Sequence, residues 1–265
     1  VSALADRLRA LASQSGARLP VGTSTPTTAR LRTLLAGRDR RSRSALPPPA
    51  GRTLAAGVQE VEHAWAWPAA ATVQLPWGAD GEVARERLVW FDTETTGLAG
   101  GVGTRAFMIG AARWQDGRLR LRQLYLTALA GEAAMLAAFA DWLPPAAIYV
   151  SYNGRSYDAP LLKGRFRLNH LPCPFAERGH CDLLYPTRRR YRGTWENCRL
   201  ATIERRALGI VREDDLPSAE APAAWLAYLR GHSATGLGRV LDHNAQDIHS
   251  LAVLLDHLAA PAAPA

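Results

Sequence analysis

The sequence predicts an α/β fold: a mixed sheet, three antiparallel strands followed by parallel ones, flanked by helices. Two observations carry this prediction. Three strand-like runs follow one another near 88–93, 106–114 and 119–126, and beyond them helical apolar spacing alternates with short apolar runs. Successive strands joined by short turns pair antiparallel, whereas a strand reached through a helix lies parallel to an earlier one.

The first strand, Leu88-Val89-Trp90-Phe91, is continuously apolar, as a strand covered on both faces must be. Asp116-Gly117 supplies the turn between the second and third strands. Arg118, Arg120 and Arg122 alternate with Leu119 and Leu121, so the third strand offers one basic and one apolar face. A helix at 131–143, a strand at 147–152 and a helix at 156–169 come next. In that helix Ser156 is the expected cap, with Asp158 in the first turn where the helix dipole favours a carboxylate. A short strand near Asp182, helices around 200–208 and 222–230, and a last helix at 237–259 complete the pattern.

Ahead of this region the chain reads differently. Residues 1–52 are expected to form a helical and basic arm: Leu4 to Leu11 and Ala29 to Leu35 have helical apolar spacing, and Arg38, Arg40, Arg41 and Arg43 lead into Pro47, Pro48 and Pro49. Residues 53–84 are a small β-rich lead-in containing Trp65, Trp67 and Trp77, whose aromatic rings suit hairpin packing. The main domain is expected over 85–260 and a tail over 261–265.

The 265 residues carry a formal charge of +8, almost all of it arginine, since Lys163 is the single lysine. Such a surface attracts polyanions, although a genome rich in arginine codons produces the same composition. Cys173, Cys181 and Cys198 have no framework spacing, which argues against a disulfide-stapled secreted domain and suits a reducing cytoplasm. Asp6, Arg7 and Arg9 stand where a signal peptide would be apolar, and no segment is apolar and long enough to span a bilayer. His170, Cys173, His180 and Cys181 match no common zinc-ligand spacing.

Chemistry concentrates in three short segments. Asp92 and Glu94 end the first strand and, two residues apart, project from the same face. Two like charges at the rim of an apolar sheet repel each other unless a cation lies between them. Asn153, Tyr157 and Asp158 follow the strand at 147–152, and His243 and Asp247, four apart, share one face of the last helix. Taken singly, each segment also suits an ordinary solvated acid, a helix-dipole partner or an i,i+4 ion pair.

As an ordered set, Asp-x-Glu, Asn-x-x-x-Tyr-Asp and His-x-x-x-Asp resemble the DEDD exonucleases, a superfamily with the RNase H-like fold. The segments 92–103, 151–166, 180–184, 198–209, 212–217 and 242–251 further resemble the YprB-type RNase H-like domain, a likeness covering about 85–260. By that resemblance Asp92, Glu94, Asp158 and Asp247 hold two divalent ions, Mg²⁺ or Mn²⁺, and His243 is the general base or a residue that positions water. Members of the histidine branch place four residues between the last His and Asp; here there are three, the spacing of the tyrosine branch.

Oxygen-only ligation favours hard ions such as these over zinc. The resemblance also implies that Thr95, Gly97, Leu98, Asn153 and Tyr157 lie beside the terminal nucleotide, and that Asp182 lies near the site. The function so implied is metal-dependent 3′-to-5′ exonucleolytic hydrolysis at a single-stranded DNA or RNA end, without membrane association. A structure-selective endonuclease and a non-catalytic nucleic-acid-binding protein of the same fold are the alternatives. Arg188, Arg189, Arg190 and Arg192, with Tyr185 and Tyr191 among them, read either as a strand guide or as a solvated surface.

Overall fold

Strand β5 (Leu88–Thr95) is buried along nearly its whole length, and the rest of the fold is arranged around it. The computed structural model describes residues 48–76, 81–97, 103–176, 178–213 and 215–260, all within one unit, Ala45–Ala265. The expected helices near Leu4 and Leu35, the arginine run at 38–43, Trp77, Leu98 and the tail lie outside the described residues.

The other strands are β1 (Arg52–Ala55), β2 (Val58–Ala66), β3 (Thr72–Gln74), β4 (Glu82–Ala84), β6 (Ala106–Gln115), β7 (Arg118–Leu126), β8 (Ile148–Ser151) and β9 (His180–Asp182). Six of them join β5 in one seven-stranded sheet of order β1-β2-β7-β6-β5-β8-β9, and β3 and β4 pair separately. From β1 through β5 the neighbours are antiparallel, while β5, β8 and β9 run parallel. The mixed sheet expected from the sequence is therefore present.

Asp116 and Gly117 both take positive φ, 49° and 68°, which gives the β6–β7 turn the twist that a two-residue hairpin needs. Leu119 and Leu121 on β7 are buried while Arg118 and Arg120 are exposed, as the alternation predicts. Arg122 departs from that solvated face: it pairs with the buried Glu60 on β2 and donates to the carbonyl of Ala138 at 2.9 Å.

Helices α1 (Glu132–Trp142) and α2 (Asp158–Leu168) cover one face of the sheet, and α6 (Thr235–Ala259) covers the other. Between α2 and α6 come α3 (Leu184–Tyr191), the short α4 (Leu200–Ile203) and α5 (Ala221–Leu229). Alternate side chains of β5 divide the core: Val89 and Phe91 join Met135, Phe139, Leu162 and Phe166, whereas Leu88 and Trp90 join Ile248, Leu251, Leu254 and Leu255 of α6. Asp92 and Glu94 continue the row of Leu88 and Trp90, so strand periodicity aims both carboxylates toward α6.

The structure departs from the sequence reading in four places. The lead-in segment adds β1 and β2 to the main sheet, with β2 paired to β7 from Val58 to Ala66. Leu184–Tyr191 is a helix despite its polar content, because Leu184, Pro186 and Thr187 are buried beneath it. After one α-helical turn the segment at 200–208 widens into a π-helix, Glu204–Leu208. Ser156 does not cap α2; the helix begins at Asp158 after Tyr157, with no side-chain cap. Among the described residues no helix is long and apolar enough to cross a membrane.

Candidate active site

Asp92, Glu94, Asp158, His243 and Asp247 line one open cavity of about 510 Å³. They arrive from three elements, β5, the first turn of α2, and α6. Thr95, Gly97, Asn153 and Tyr157 line it too, together with Thr93, Tyr152, Ser218, Ala219 and Pro222. Every sequence-predicted site residue within the described segments is thus brought to the same place.

Three of the carboxylates, Asp92, Asp158 and Asp247, are held by donors of their own. The Asn244 amide donates to Asp92 Oδ2 at 3.1 Å, and Gln123 in turn donates to Asn244 Oδ1 at 3.0 Å. The Thr93 hydroxyl donates to Asp158, and Arg212 pairs with Asp247. Arg212 also grips Glu204 bidentately, at 2.5 and 2.7 Å, so one guanidinium bridges the π-helical turn and α6.

On another wall of the cavity, Tyr157 donates its hydroxyl to the Gly97 carbonyl at 2.7 Å. Asn153 occupies the left-handed region, φ 64°. Asp182 shapes the loop around it: its carboxylate accepts the backbone N–H groups of Asn153, Arg155 and Leu184 at 2.7, 3.0 and 3.1 Å. Asp182 is fully buried and does not line the cavity, so its role is to hold the β8–α2 loop.

The electrostatics are those of crowded acids. Burial, then the neighbouring Asp158, Asp247 and Glu94 charges, hold the Asp92 carboxyl well above the usual carboxylate range. Glu94 is pushed up to about 7, by burial first; His243 opposes the rise and Asp247 and Asp158 add to it. Asp158 is pushed up to about 6 by burial, against the Thr93 hydrogen bond. Asp247 is raised by burial although His243 and Arg212 pull it down. Burial lowers His243, but Asp247, Asp215 and Glu94 outweigh it and leave the imidazole raised.

Among the described residues no three His, Cys, Asp or Glu side chains stand in an arrangement that would hold a metal ion. The donor set is nonetheless chemically suited to one. Four carboxylates around one cavity, most of them raised by burial and mutual repulsion, form the oxygen-only environment that a hard divalent cation relieves.

The zinc alternative finds no support. His180 Nε2 pairs with Ser151 Oγ at 2.8 Å and the ring is pushed down to about 4 by burial, while the Cys181 thiol is pushed up to about 12. The aromatic and basic run on α3 is partly engaged: Tyr191 bonds His257 at 2.5 Å and stacks on Trp195, leaving Arg188, Arg189 and Arg190 exposed.

Arg212, Asp215, Ser218 and Asn244 belong to the site but were not assigned from sequence. One of them left a signal. Asn244 interrupts the apolar stripe of Leu237, Val240, Leu241, Ile248, Leu251 and Leu255, and a polar residue there must have a buried partner. Arg212 and Asp215 lie in a segment without periodicity; the resemblance of 212–217 to the YprB-type domain marked the segment but assigned them no role.

A mixed sheet with helices on both faces and an acid-lined cavity at the end of β5 defines an RNase H-like α/β domain. The RNase_H superfamily model matches residues 89–259, and the chain belongs to that superfamily. It is 35% identical over 176 residues to the uncharacterized protein YprB of Bacillus subtilis (strain 168), a match covering 66% of this chain and 42% of YprB. Among solved structures it is similar to the family B DNA polymerase of the archaeon Pyrobaculum calidifontis, with TM-score 0.48 and 15% identity over 64% of this chain and 24% of the polymerase. It is also similar to E. coli ExoI in a complex with single-stranded DNA, with TM-score 0.40 and 15% identity over 64% of this chain and 40% of that one. The chain spans less than half the length of each of these relatives.

Proposed function

We propose that this chain is a metal-dependent nuclease of the DEDD type that removes nucleotides from the 3′ end of DNA or RNA. The observation that carries the reading is the convergence of Asp92, Glu94, Asp158, Asp247 and His243, remote in sequence, on one open cavity. The 3′-to-5′ direction follows from the family resemblance of the three acidic segments.

Asp92, Glu94, Asp158 and Asp247 would hold divalent ions, Mg²⁺ or Mn²⁺, which supply charge stabilisation to phosphodiester hydrolysis when bound. His243, with Nε2 at 3.6 Å from Asp247 Oδ2, is the group that takes a proton from the attacking water. Tyr157, Thr95 and Asn153 form the wall against which the terminal nucleotide rests, and the Tyr157–Gly97 hydrogen bond fixes the ring of Tyr157 there. The exposed arginines of α3 and β7 supply sequence-independent attraction for the phosphate backbone.

Digestion of 5′-labelled single-stranded and duplex DNA and RNA with Mg²⁺ or Mn²⁺ tests this. A ladder shortening from the unlabelled end, abolished in Asp92→Asn, is expected. Cleavage of a circular substrate would replace the exonuclease reading with an endonuclease, and binding without hydrolysis would replace it with a non-catalytic protein.

A further inference from the structure

We infer that Asp215 is a positioning residue for His243: it fixes the proton on Nδ1 and so presents Nε2, with its lone pair, to the cavity. This rests on the nuclease reading for its consequence but not for its geometry. His243 Nδ1 stands 2.6 Å from Asp215 Oδ1. A lone pair on Nδ1 would face a carboxylate oxygen at that distance, acceptor against acceptor, so Nδ1 carries hydrogen and donates. The opposite ring nitrogen, Nε2, lies 3.2 Å from Ser218 Oγ, a hydroxyl that can donate to it, and 3.6 Å from Asp247 Oδ2.

Arg212 makes the assignment sharper. Its Nη1 is 3.3 Å from His243 Nδ1 and 3.1 Å from Asp215 Oδ2. A guanidinium nitrogen only donates, so toward a protonated Nδ1 it makes no hydrogen bond, and its partner in this group is Asp215. The order Arg212 to Asp215 to His243 is therefore a relay of orientation: arginine holds the carboxylate and the carboxylate holds the ring. Remove the Asp215 carboxylate and the donor that remains beside Nδ1 is Arg212, which favours a lone pair there and moves the proton to Nε2. Proton acceptance at the cavity is then lost although His243 is still in place.

The ring is well set for such control. His243 is almost fully buried, and His243 and Asp215 form part of the wall of a second cavity of about 680 Å³ lined by Arg212, Arg239 and Asp242. Nδ1 thus meets the Arg212–Asp215 side of the wall and Nε2 meets the side of Ser218 and Asp247.

The test has two arms on the full chain. In ¹⁵N-labelled protein at a pH where the ring is neutral, long-range proton–nitrogen correlations, with His243→Gln identifying the signal, are expected to show Nδ1 protonated and Nε2 not. In Asp215→Ala the two are expected to exchange. A wild-type ring protonated on Nε2, or an Asp215→Ala ring unchanged from wild type, overturns the proposal, and the wild-type measurement stands even if the variant folds poorly.

In the second arm, with single-stranded DNA and Mn²⁺, Asp215→Ala is expected to lower kcat about 10- to 100-fold with KM within about twofold. Adding it to His243→Ala is expected to cost nothing more. Full additivity of the two substitutions would mean that Asp215 acts elsewhere and would overturn the proposal. Absence of hydrolysis in the wild-type protein would sink the nuclease reading while the tautomer measurement still decided the role of Asp215.

Discussion

Asn244 of α6 donates to Asp92 of β5 across 3.1 Å, joining two residues that lie 152 positions apart in the chain. The amide is completely buried and its oxygen is taken by Gln123, so its orientation is set from both ends. Asn244→Ala is expected to lower turnover in the proposed nuclease reaction about 10- to 100-fold by freeing the Asp92 carboxylate. It is also expected to destabilise the fold by about 1–3 kcal/mol, because a buried donor of Gln123 and an oxygen of Asp92 lose a partner. Denaturant unfolding read beside the activity assay checks both.

The same contact explains Gly110 on β6. A methyl group there would stand 2.0 Å from Asn244 Oδ1 and 2.8 Å from its Cγ. The neighbour is a buried, doubly bonded amide with no room to retreat. Gly110→Ala is therefore expected to cost about 1–3 kcal/mol and to displace Asn244 from Asp92. A thermal melt indistinguishable from wild type would show that α6 can shift away at no cost.

Arg212 is the cation of an otherwise acidic site. Glu204, which it grips bidentately, is almost wholly buried, and the arginine side chain itself is 11% exposed. Replacing Arg212 by Met leaves Glu204 and Asp247 without their counter-charge, and breaking a buried pair from one side costs about 3–5 kcal/mol. A melting temperature unchanged at pH 7 would show that the pair carries no net stabilisation.

Much of this was legible in the chain because local geometry is periodic. A strand repeats every second residue, so Asp92 and Glu94 had to share a face, and a helix brings i and i+4 together, so His243 and Asp247 had to do the same. What those rules could not supply is pairing at a distance. Val58 to Ala66 does pair locally with Arg52 to Ala55, but its longer pairing, with Arg118 to Leu126 about sixty residues on, left no local trace. The helix Leu184–Tyr191 was hidden by Pro186 and three arginines, and buries Leu184, Pro186 and Thr187. Arg212 and Asp215 lie in irregular chain, where nothing in the spacing says which way a side chain turns.

Stability should depend on pH through the site's own acids. Glu94 moves from 4.5 to about 7 and Asp158 from 3.8 to about 6 on folding, in each case first through burial. Between those limits the folded chain binds more protons than the unfolded one, so stability falls as pH rises. The contribution is fully present below about pH 4 and is lost as pH climbs through about 6 and 7, in line with these shifts. Without added metal the melting temperature is therefore expected to decline from pH 5 to pH 8, after allowance for other groups by comparison with Glu94→Gln. Mg²⁺ or Mn²⁺ competes with those protons for the same oxygens, so its stabilising effect is expected to be larger at pH 8 than at pH 5. Equal metal-induced shifts at the two pH values would show that the ions do not bind the carboxylates of this cavity.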